Sequence, residues 1–281
     1  MFPSFCFIAP TNYLQYVGCS RTHLVLAHLV HTNKQYADFY LKLSKQGHFI
    51  MMDNSAYELK VPFSPEKLIR LGSVCGADAI VLPDYPFQHS SKTLEAAVKF
   101  IPQFKDAGFK TFFVPQSERG DLNDYIEAYT WASQNPDIDI IGCSILGMPN
   151  ALPNVDPSYA RVVLTQMLID RELFNFDKHH HYLGLNAGPA LEIPSLLRMG
   201  ALTTLDSSGP IWAAIVGHAY TTEADSYQTV SKIKLPVDFD LPFYANDFDM
   251  HKRIEHNVKL TLDLFNPENY NKESTWYAQE E

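Results

Sequence analysis

Residues 49–83 read FIMMDNSAYELKVPFSPEKLIRLGSVCGADAIVLP, and this stretch predicts one complete strand–helix–strand unit. Its two ends, 49–53 and 79–83, are short apolar runs of the kind that form buried strands. Between them, Ser64 and Pro65 mark a helix start before the amphipathic run 65–74. Because a helix joins the two strands, we expect them to lie parallel in one sheet.

The same alternation repeats along most of the chain. Strands are predicted at 5–9, 24–28, 49–53, 79–83, 111–115, 138–143, 182–185 and 202–206. Helices are predicted at 34–45, 65–74, 92–107, 122–133, 157–174, 191–199 and 211–218. The first connection, 10–23, is too short and irregular for a helix. Eight strands with seven following helices indicate an α/β fold of the (β/α)8 TIM-barrel type, modified at its opening.

The C-terminal part of the chain departs from this pattern. Beyond about residue 221 a polar stretch leads to 234–244, which holds two prolines, and then to an amphipathic segment at 247–265. We therefore predict a catalytic barrel over 1–220 and a short C-terminal appendage, packed on the barrel, over 221–281.

The composition excludes several classes of protein. With 281 residues, 46% hydrophobic and 19% charged, the chain is neither disordered nor fibrous. Its 22 Lys and Arg against 32 Asp and Glu give a formal charge of −10, which argues against a protein that coats nucleic acid electrostatically. No apolar run approaches the ~20 residues of a membrane span, and residues 1–10 lack the basic start of a signal peptide. We expect a cytoplasmic protein without membrane association, in the host cytoplasm if a phage encodes it.

Polar residues recur at the predicted strand ends. Asp53, Asp84 and Asp206 follow three strands, and Gln116 follows a fourth. In a barrel of this type the carboxyl ends of the strands meet at one mouth, where catalytic groups lie. Taken singly, each Asp is equally well explained as a helix N-cap or turn residue. Taken alone, Gln116 is better explained as a loop contact and Tyr57 as a core residue. Recurrence on successive strands favours a shared site.

Six motifs, in order, resemble those of the tRNA-guanine transglycosylase superfamily. They are DNSAY at 53–57, the loop with Asp84, VPQ at 114–116, IGCSILG at 141–147, YLGLN at 182–186 and LDSSGP at 205–210. The family carries DSGGF or DSGGY, an Asp-bearing loop, VQGG, GGLAVGE, YLMGVG and a last strand that ends in the nucleophilic Asp. The HN pair at 256–257 resembles a further family element. Among the family's members, the chain most resembles the phage-type 7-deazaguanine DNA transglycosylases.

The resemblance implies base exchange at a glycosidic bond, in which guanine leaves a polynucleotide and a 7-deazaguanine enters. Asp206 matches the nucleophile that attacks C1′, and Asp53 matches the general acid and base. The target nucleotide must be flipped or unpaired to be reached. No cofactor is implied. The residues that match the base-binding set are Tyr57, which would stack on the base, and Asp84, Gln116, Gly142, Cys143 and Ser144, which would read its hydrogen-bonding edge.

Two departures from the family pattern change the expected ligands. The family's zinc site, CxCxxC followed by a His, would fall near 236–251, which holds no cysteine, so we predict no metal. The run His179-His180-His181 is a poor substitute, because adjacent side chains at a strand start diverge. The family's second glycine is Cys143 here and its Glu is Met148, which favours a neutral nitrile-bearing base such as preQ0 over preQ1.

DNA is the favoured acceptor, because the zinc region is altered and no separate RNA-binding domain follows the barrel. A tRNA acceptor with the same chemistry is the second hypothesis. The chain is also compatible with a catalytically silent barrel that binds a base or a partner, and with a glycoside hydrolase that uses two of the carboxylates. The predicted phosphate contacts, which a solvated tail face would explain equally well, are Lys232, Lys234, Lys252, Arg253 and Lys259.

Overall fold

The computed structural model describes residues 3–185, 189–221 and 236–266, and its centre is an eight-stranded parallel sheet. The strands are β1 Ser4–Phe7, β2 Thr22–Leu26, β3 Phe49–Asp53, β4 Ala79–Val81, β5 Lys110–Phe113, β6 Ile140–Gly142, β7 His179–Tyr182 and β8 Thr204–Ser207. They pair in the order β1-β8-β7-β6-β5-β4-β3-β2, and β1 meets β2 at the seam of a nearly closed barrel. The predicted TIM-type fold is confirmed.

Helices alternate with the strands around the outside of the barrel. A 3-10 segment, Thr11–Cys19, follows β1 in place of a regular helix. The α-helices are α1 Ala27–Thr32, α2 Lys34–Lys45, α3 Ala56–Leu59, α4 Pro65–Cys75, α5 Ser90–Asp106, α6 Leu122–Gln134, α7 Gly147–Ala151, α8 Pro157–Asp170, α9 Pro189–Arg198, α10 Gly209–Ile215 and α11 Phe248–Asp263.

Local sequence signals explain where the long helices begin. Ser64 Oγ accepts the N–H of Lys67 at the start of α4, and Pro65 occupies its first turn. The side chains of Asp121 and Asp156 accept backbone N–H groups in the first turns of α6 and α8 in the same way. These caps satisfy donors that have no partner within the helix, so each helix starts at a defined residue and sets the length of the loop before it.

The structure corrects several predicted boundaries. β7 is His179–Tyr182, whereas the sequence pattern predicts 182–185, so the histidine run forms the strand itself. β2 ends at Leu26 and passes directly into α1, although a strand is predicted as far as residue 28. The short helices α3 and α7 lie in the segments after β3 and β6 and have no counterpart in the prediction.

The C-terminal segment covers the side of the barrel where the first helix is missing. Tyr13 donates its hydroxyl to the carbonyl oxygen of Pro242 at 3.1 Å, and the Tyr16 hydroxyl bonds Nδ1 of His251 at 2.6 Å. Helix α11 also packs on α10 and beside β1. The described part of the predicted appendage, 236–266, therefore contacts the barrel directly. The parts at 222–235 and 267–281 lie outside the described residues.

The core has an inner and an outer layer. Inside the barrel, the ring of Phe112 lies edge-on to His181 with centroids 5.5 Å apart. Between strands and helices, buried tyrosines such as Tyr40 on α2 and Tyr129 on α6 fill the outer layer. This double packing holds the strand ends, and therefore the mouth, in place. No helix in the described ranges combines the length and the apolar character that a membrane crossing needs.

Candidate active site

The carboxyl ends of the strands bring the predicted polar residues to one mouth. Asp53 ends β3 and Asp206 lies in β8, while Asp84 and Gln116 lie in the loops after β4 and β5. Gln116 hydrogen-bonds Asp84 directly, and Asp53 is coupled electrostatically to both Asp84 and Asp206. The three carboxylates expected from the sequence therefore form one cluster with the amide of Gln116.

Asp206 is held by one of its two carboxylate oxygens. Its Oδ1 accepts a hydrogen bond from Nε2 of His181 and another from the backbone N–H of Gly184, both at 3.0 Å. Within the described ranges, Oδ2 accepts no hydrogen bond, and the residue is only 5% exposed. Two donors on one oxygen fix the plane of the carboxylate and leave the other oxygen available for a ligand.

The peptide that donates to Asp206 is itself fixed by a buried arginine. Arg161 on α8 donates Nη1 to the carbonyl oxygen of Leu183 at 3.0 Å and Nη2 to that of Gly184 at 2.8 Å. Its Nε and Nη2 also bind both carboxylate oxygens of Glu192, at 2.6 and 2.9 Å. With Nη1 also on the Cys143 carbonyl, at 3.1 Å, all five N–H groups of the guanidinium have an acceptor.

Gly184 is required for this geometry on two grounds. Its φ of +74° lies in the left-handed region that side chains disfavour. A Cβ at this position would also lie 2.8 Å from Cγ2 of Ile145. The glycine therefore allows the chain to turn so that its N–H faces Asp206 and its carbonyl faces Arg161.

Asp53 occupies a different electrostatic environment. Its Oδ2 accepts the backbone N–H of Ser55 at 2.8 Å. Burial, and then repulsion from Glu58, Asp84 and Asp206, raise the pKa of Asp53 well above its ordinary value. The raised pKa favours the protonated form of the Asp53 carboxyl group, which a general acid requires.

Asp84 sits between two side-chain amides. Asn54 donates Nδ2 to Oδ1 of Asp84 at 2.7 Å, and Gln116 donates Nε2 to Oδ2 at 2.6 Å. Burial raises the pKa of Asp84 to about 6 against the lowering effect of these two bonds. Among the residues that the structure describes, Oε1 of Gln116 is buried and has no hydrogen-bond partner, and it faces Gly147, where a Cβ would lie 3.2 Å from it. An unpaired buried acceptor beside a glycine is an arrangement that a ligand N–H can complete.

The end of β6 and the segment after it shape the site through close packing and backbone turns. A Cβ on Gly142 would lie 2.7 Å from Val114 and 2.8 Å from Phe112, so only glycine fits inside the barrel there. Ser144 is buried, and its Oγ accepts the N–H groups of Leu146 and Gly147 at 3.1 and 3.3 Å.

The backbone of Cys143 is hydrogen-bonded within the barrel. Its N–H donates to the carbonyl of His181, and its own carbonyl accepts from Leu183 and Arg161. The thiol is buried, and burial raises its pKa to about 12. The backbone N–H and carbonyl of Cys143 are thus both paired among the described residues, and its predicted base-reading role stays a prediction.

The short helix α3 carries one predicted residue and one that the sequence did not reveal. Tyr57 is 60% exposed, so it is not a core residue, and Nζ of Lys60 lies 5.0 Å from its ring centroid. Glu58 follows it, and among the charged residues Glu58 has the largest effect on the pKa of Asp53. Loss of water around the Glu58 carboxyl, together with Asp206, raises the pKa of Glu58. An acid in an exposed helical turn has no sequence signal of its own; only the fold shows its neighbours.

Two of the predicted phosphate contacts that the structure describes have partners within the chain. Arg253 donates Nε to the carbonyl oxygen of Ala214 at 3.1 Å, and Lys259 pairs with Asp263 at 2.6 Å. Lys252 lies on the same helix, α11, and is solvent-exposed. The remaining two predicted contacts, Lys232 and Lys234, lie outside the described residues.

The histidine run diverges as expected from the geometry of a strand. His180 points outward, where it stacks on Phe174 with centroids 4.1 Å apart and bonds the Tyr129 hydroxyl at 2.8 Å. His179 and His181 point inward and share the hydroxyl of Thr204. In the part of the chain that the structure describes, no group of three or more His, Cys, Asp or Glu side chains is placed to hold a metal ion.

The HN pair, His256 and Asn257, joins helix α11 to the segment that follows β8. Asn257 is fully buried, and its Oδ1 accepts the N–H of Tyr220 at 2.7 Å. Its Nδ2 donates to the carbonyl oxygens of Pro210 and His218, both at 3.0 Å. These bonds attach α11 to α10, the helix that follows Asp206. His256 adds a contact from Nε2 to the carbonyl oxygen of Tyr220 at 2.8 Å.

Comparison with known proteins establishes the fold alone. Neither a scan against protein-family models nor a search of curated proteins found a match for this chain. Among solved structures, a Coccidioides immitis protein described as a fructose-1,6-biphosphate aldolase matches with a TM-score of 0.52 and 11% identity, over 96% of this chain and 92% of that one. RipC from Yersinia pestis matches with a TM-score of 0.43 and 11% identity, over 87% of this chain and 97% of its own. The similarity to the Coccidioides immitis protein supports the barrel and carries no activity across.

Proposed function

We propose that this protein is a transglycosylase that exchanges guanine in a polynucleotide for a 7-deazaguanine such as preQ0. The observation that carries the proposal is the contrast between two carboxylates at one barrel mouth. Asp206 faces two N–H donors, as an ionised carboxylate requires, whereas burial and acidic neighbours raise the pKa of Asp53. A carboxylate oriented by N–H donors, beside a carboxyl group with a raised pKa, is what nucleophilic displacement with acid–base assistance needs.

In the proposed reaction Oδ2 of Asp206 attacks C1′ of the target nucleotide. The new oxygen–carbon bond forms as the C1′–N9 bond breaks, and the electron pair of that bond leaves with guanine. Asp53 supplies a proton to the departing base. The incoming base then loses a proton to Asp53 and displaces Asp206 from C1′, which restores both carboxyl groups.

The base-reading groups are Asp84, Gln116 and the space beside Gly147. The carboxylate of Asp84 and the unpaired Oε1 of Gln116 are acceptors, which complement the N1–H and amino donors of a guanine edge. The exposed ring of Tyr57 offers a stacking face. The partner of these groups in the proposal is therefore a flipped guanine or its 7-deaza counterpart.

The backbone geometry of residues 53–57 supports the resemblance to the tRNA-guanine transglycosylase superfamily, and this support does not depend on which residues occupy the motif. Ser55 has a φ of +60°, a value that glycine adopts readily and serine rarely. The family motif DSGGF has glycine at the corresponding third position. In this chain the Ser55 hydroxyl compensates, because its Oγ bonds both the N–H and Nδ1 of His28 at 3.0 Å.

The test is incorporation of a labelled base. The full chain is incubated with labelled guanine, or separately with labelled preQ0, and with DNA or bulk tRNA at the same salt concentration. We expect label in DNA with the wild type and none with Asp206→Asn, and a ~10²–10⁴-fold slower reaction with Asp53→Asn. Label in tRNA alone would move the acceptor to RNA. Absence of label from both would remove the transglycosylase proposal.

A further inference from the structure

Behind Asp206 a continuous row of hydrogen bonds crosses from β7 to β8. Nε2 of His179 and Nδ1 of His181 each lie 2.6 Å from the hydroxyl oxygen of Thr204. Nε2 of His181 then lies 3.0 Å from Oδ1 of Asp206. Thr204 and His181 are fully buried, so none of these contacts is exchanged readily with water. The register pairs His181 with Thr204 directly. The side chains of His179, His181 and Thr204 therefore all lie on the inner face of the barrel.

The proton count of this row permits one arrangement when Asp206 is ionised and the ring of His181 is neutral. The carboxylate can only accept, so Nε2 of His181 carries a proton and donates it. In a neutral imidazole Nδ1 is then an acceptor, and it must take the single hydroxyl proton of Thr204. The hydroxyl oxygen accepts in turn from His179, whose Nε2 carries a proton. Burial lowers the pKa of His179 to about 3, which keeps that ring neutral.

We propose that His181 is a positioning residue for the nucleophile, with its tautomer set by Thr204 and His179. The chemical part of this inference rests on the proposed function. His181 and the Gly184 N–H both hold Oδ1, so the carboxylate cannot rotate to exchange its two oxygens. Oδ1 is therefore the anchored oxygen and Oδ2 the one presented to C1′. Misplacing a reacting group by about 1 Å can lower the reaction rate ~10²-fold. A nucleophile that is already held in position avoids this loss.

The first test needs no variant and no activity. Histidine-15N-labelled wild-type chain is examined by NMR near neutral pH, with His181→Gln used to assign the His181 signals. We expect a neutral ring protonated at Nε2, with Nδ1 shifted as a hydrogen-bond acceptor. In Thr204→Val the Nδ1 signal should move to the position of an unbonded ring nitrogen, while Thr204→Ser should retain the wild-type position. A His181 ring protonated at Nδ1 in the wild type would overturn the proposal.

The second test measures base exchange. His181→Phe preserves ring packing against Phe112 but removes the donor, and we expect a ~10²-fold lower kcat with an unchanged KM for the free base. His181→Gln places an N–H near the former Nε2 and should recover part of the loss. Equal kcat in His181→Phe and wild type would overturn the proposal, as would a loss that appears only in KM. If the wild type exchanges no base, the proposed function fails, and the NMR result still decides the hydrogen-bond row.

Discussion

Asp84 is the residue whose protonation should be visible in ligand binding. Burial raises its pKa to about 6, and only its ionised form offers two acceptor oxygens. We therefore predict that affinity for free guanine is highest above pH 7 and falls as the pH drops through 6, by up to about tenfold per unit. Equilibrium dialysis between pH 5 and pH 8 checks this.

The matched control for that experiment is Asp84→Asn, which preserves size but has no titratable group. It should bind guanine more weakly at every pH, without the fall near pH 6. A wild-type affinity that does not change between pH 5 and pH 8 would show that the Asp84 carboxylate does not contact the base.

At the residue scale the sequence predicts which polar side chains lie at the barrel mouth where residue type and position coincide. Asp53, Asp84 and Asp206 are recognisable because each lies at or just beyond the carboxyl end of a strand. Glu58 and Arg161 are not recognisable, since an acid in a short turn and an arginine in an amphipathic helix are normally surface residues. Their roles depend on which strands approach them, and that is a property of the assembled barrel.

At the element scale, the Arg161–Glu192 pair ties the ends of β6 and β7 to helices α8 and α9. Both side chains are fully buried and joined through two hydrogen bonds. We predict that Arg161→Ala lowers the free energy of unfolding by about 3–5 kcal/mol, because it leaves a buried carboxylate without its partner. Chemical denaturation measures this.

The double variant Arg161→Met with Glu192→Leu separates stability from positioning. It removes both buried charges, so we expect much of the lost stability to return. Exchange should remain slow, because the Leu183–Gly184 peptide that donates to Asp206 has lost its anchor. Exchange at the wild-type rate in the stable double variant would show that this anchor is dispensable.

Element boundaries show where sequence patterns stop being informative. Helix α2 and strand β3 have the predicted ends because a cap or an apolar run defines them. Strand β7 is misplaced by the sequence pattern because histidine is not a typical strand residue. The three histidines are accommodated by partners on other elements, such as Thr204 and Tyr129. Such partners are distant in sequence and come together only when the barrel closes.

At the scale of the whole molecule, buried neutral histidines link stability to pH. Burial lowers the pKa of His23 to about 4, and repulsion from His48 adds to the effect. As the pH falls, His23 therefore binds a proton in the unfolded chain before it does so in the folded chain. Its contribution to the free energy of unfolding is complete above pH 6.5 and is lost as the pH falls towards 4. We predict that the free energy of unfolding of His23→Gln, relative to that of the wild type, rises by about 2 kcal/mol when the pH is lowered from 7 to 4.5. Chemical denaturation at the two pH values checks it, and a constant difference would contradict it.

The measurement that tests the account most directly is the identification of the covalent intermediate. Wild-type chain is mixed with guanine-containing DNA without an entering base, denatured rapidly, digested and analysed by mass spectrometry. We predict a deoxyribosyl adduct on Asp206 that is absent from Asp206→Asn and is discharged when labelled preQ0 is added before denaturation. An adduct on Asp53, or base exchange at the wild-type rate by Asp206→Asn, would contradict the assignment of Asp206 as the nucleophile.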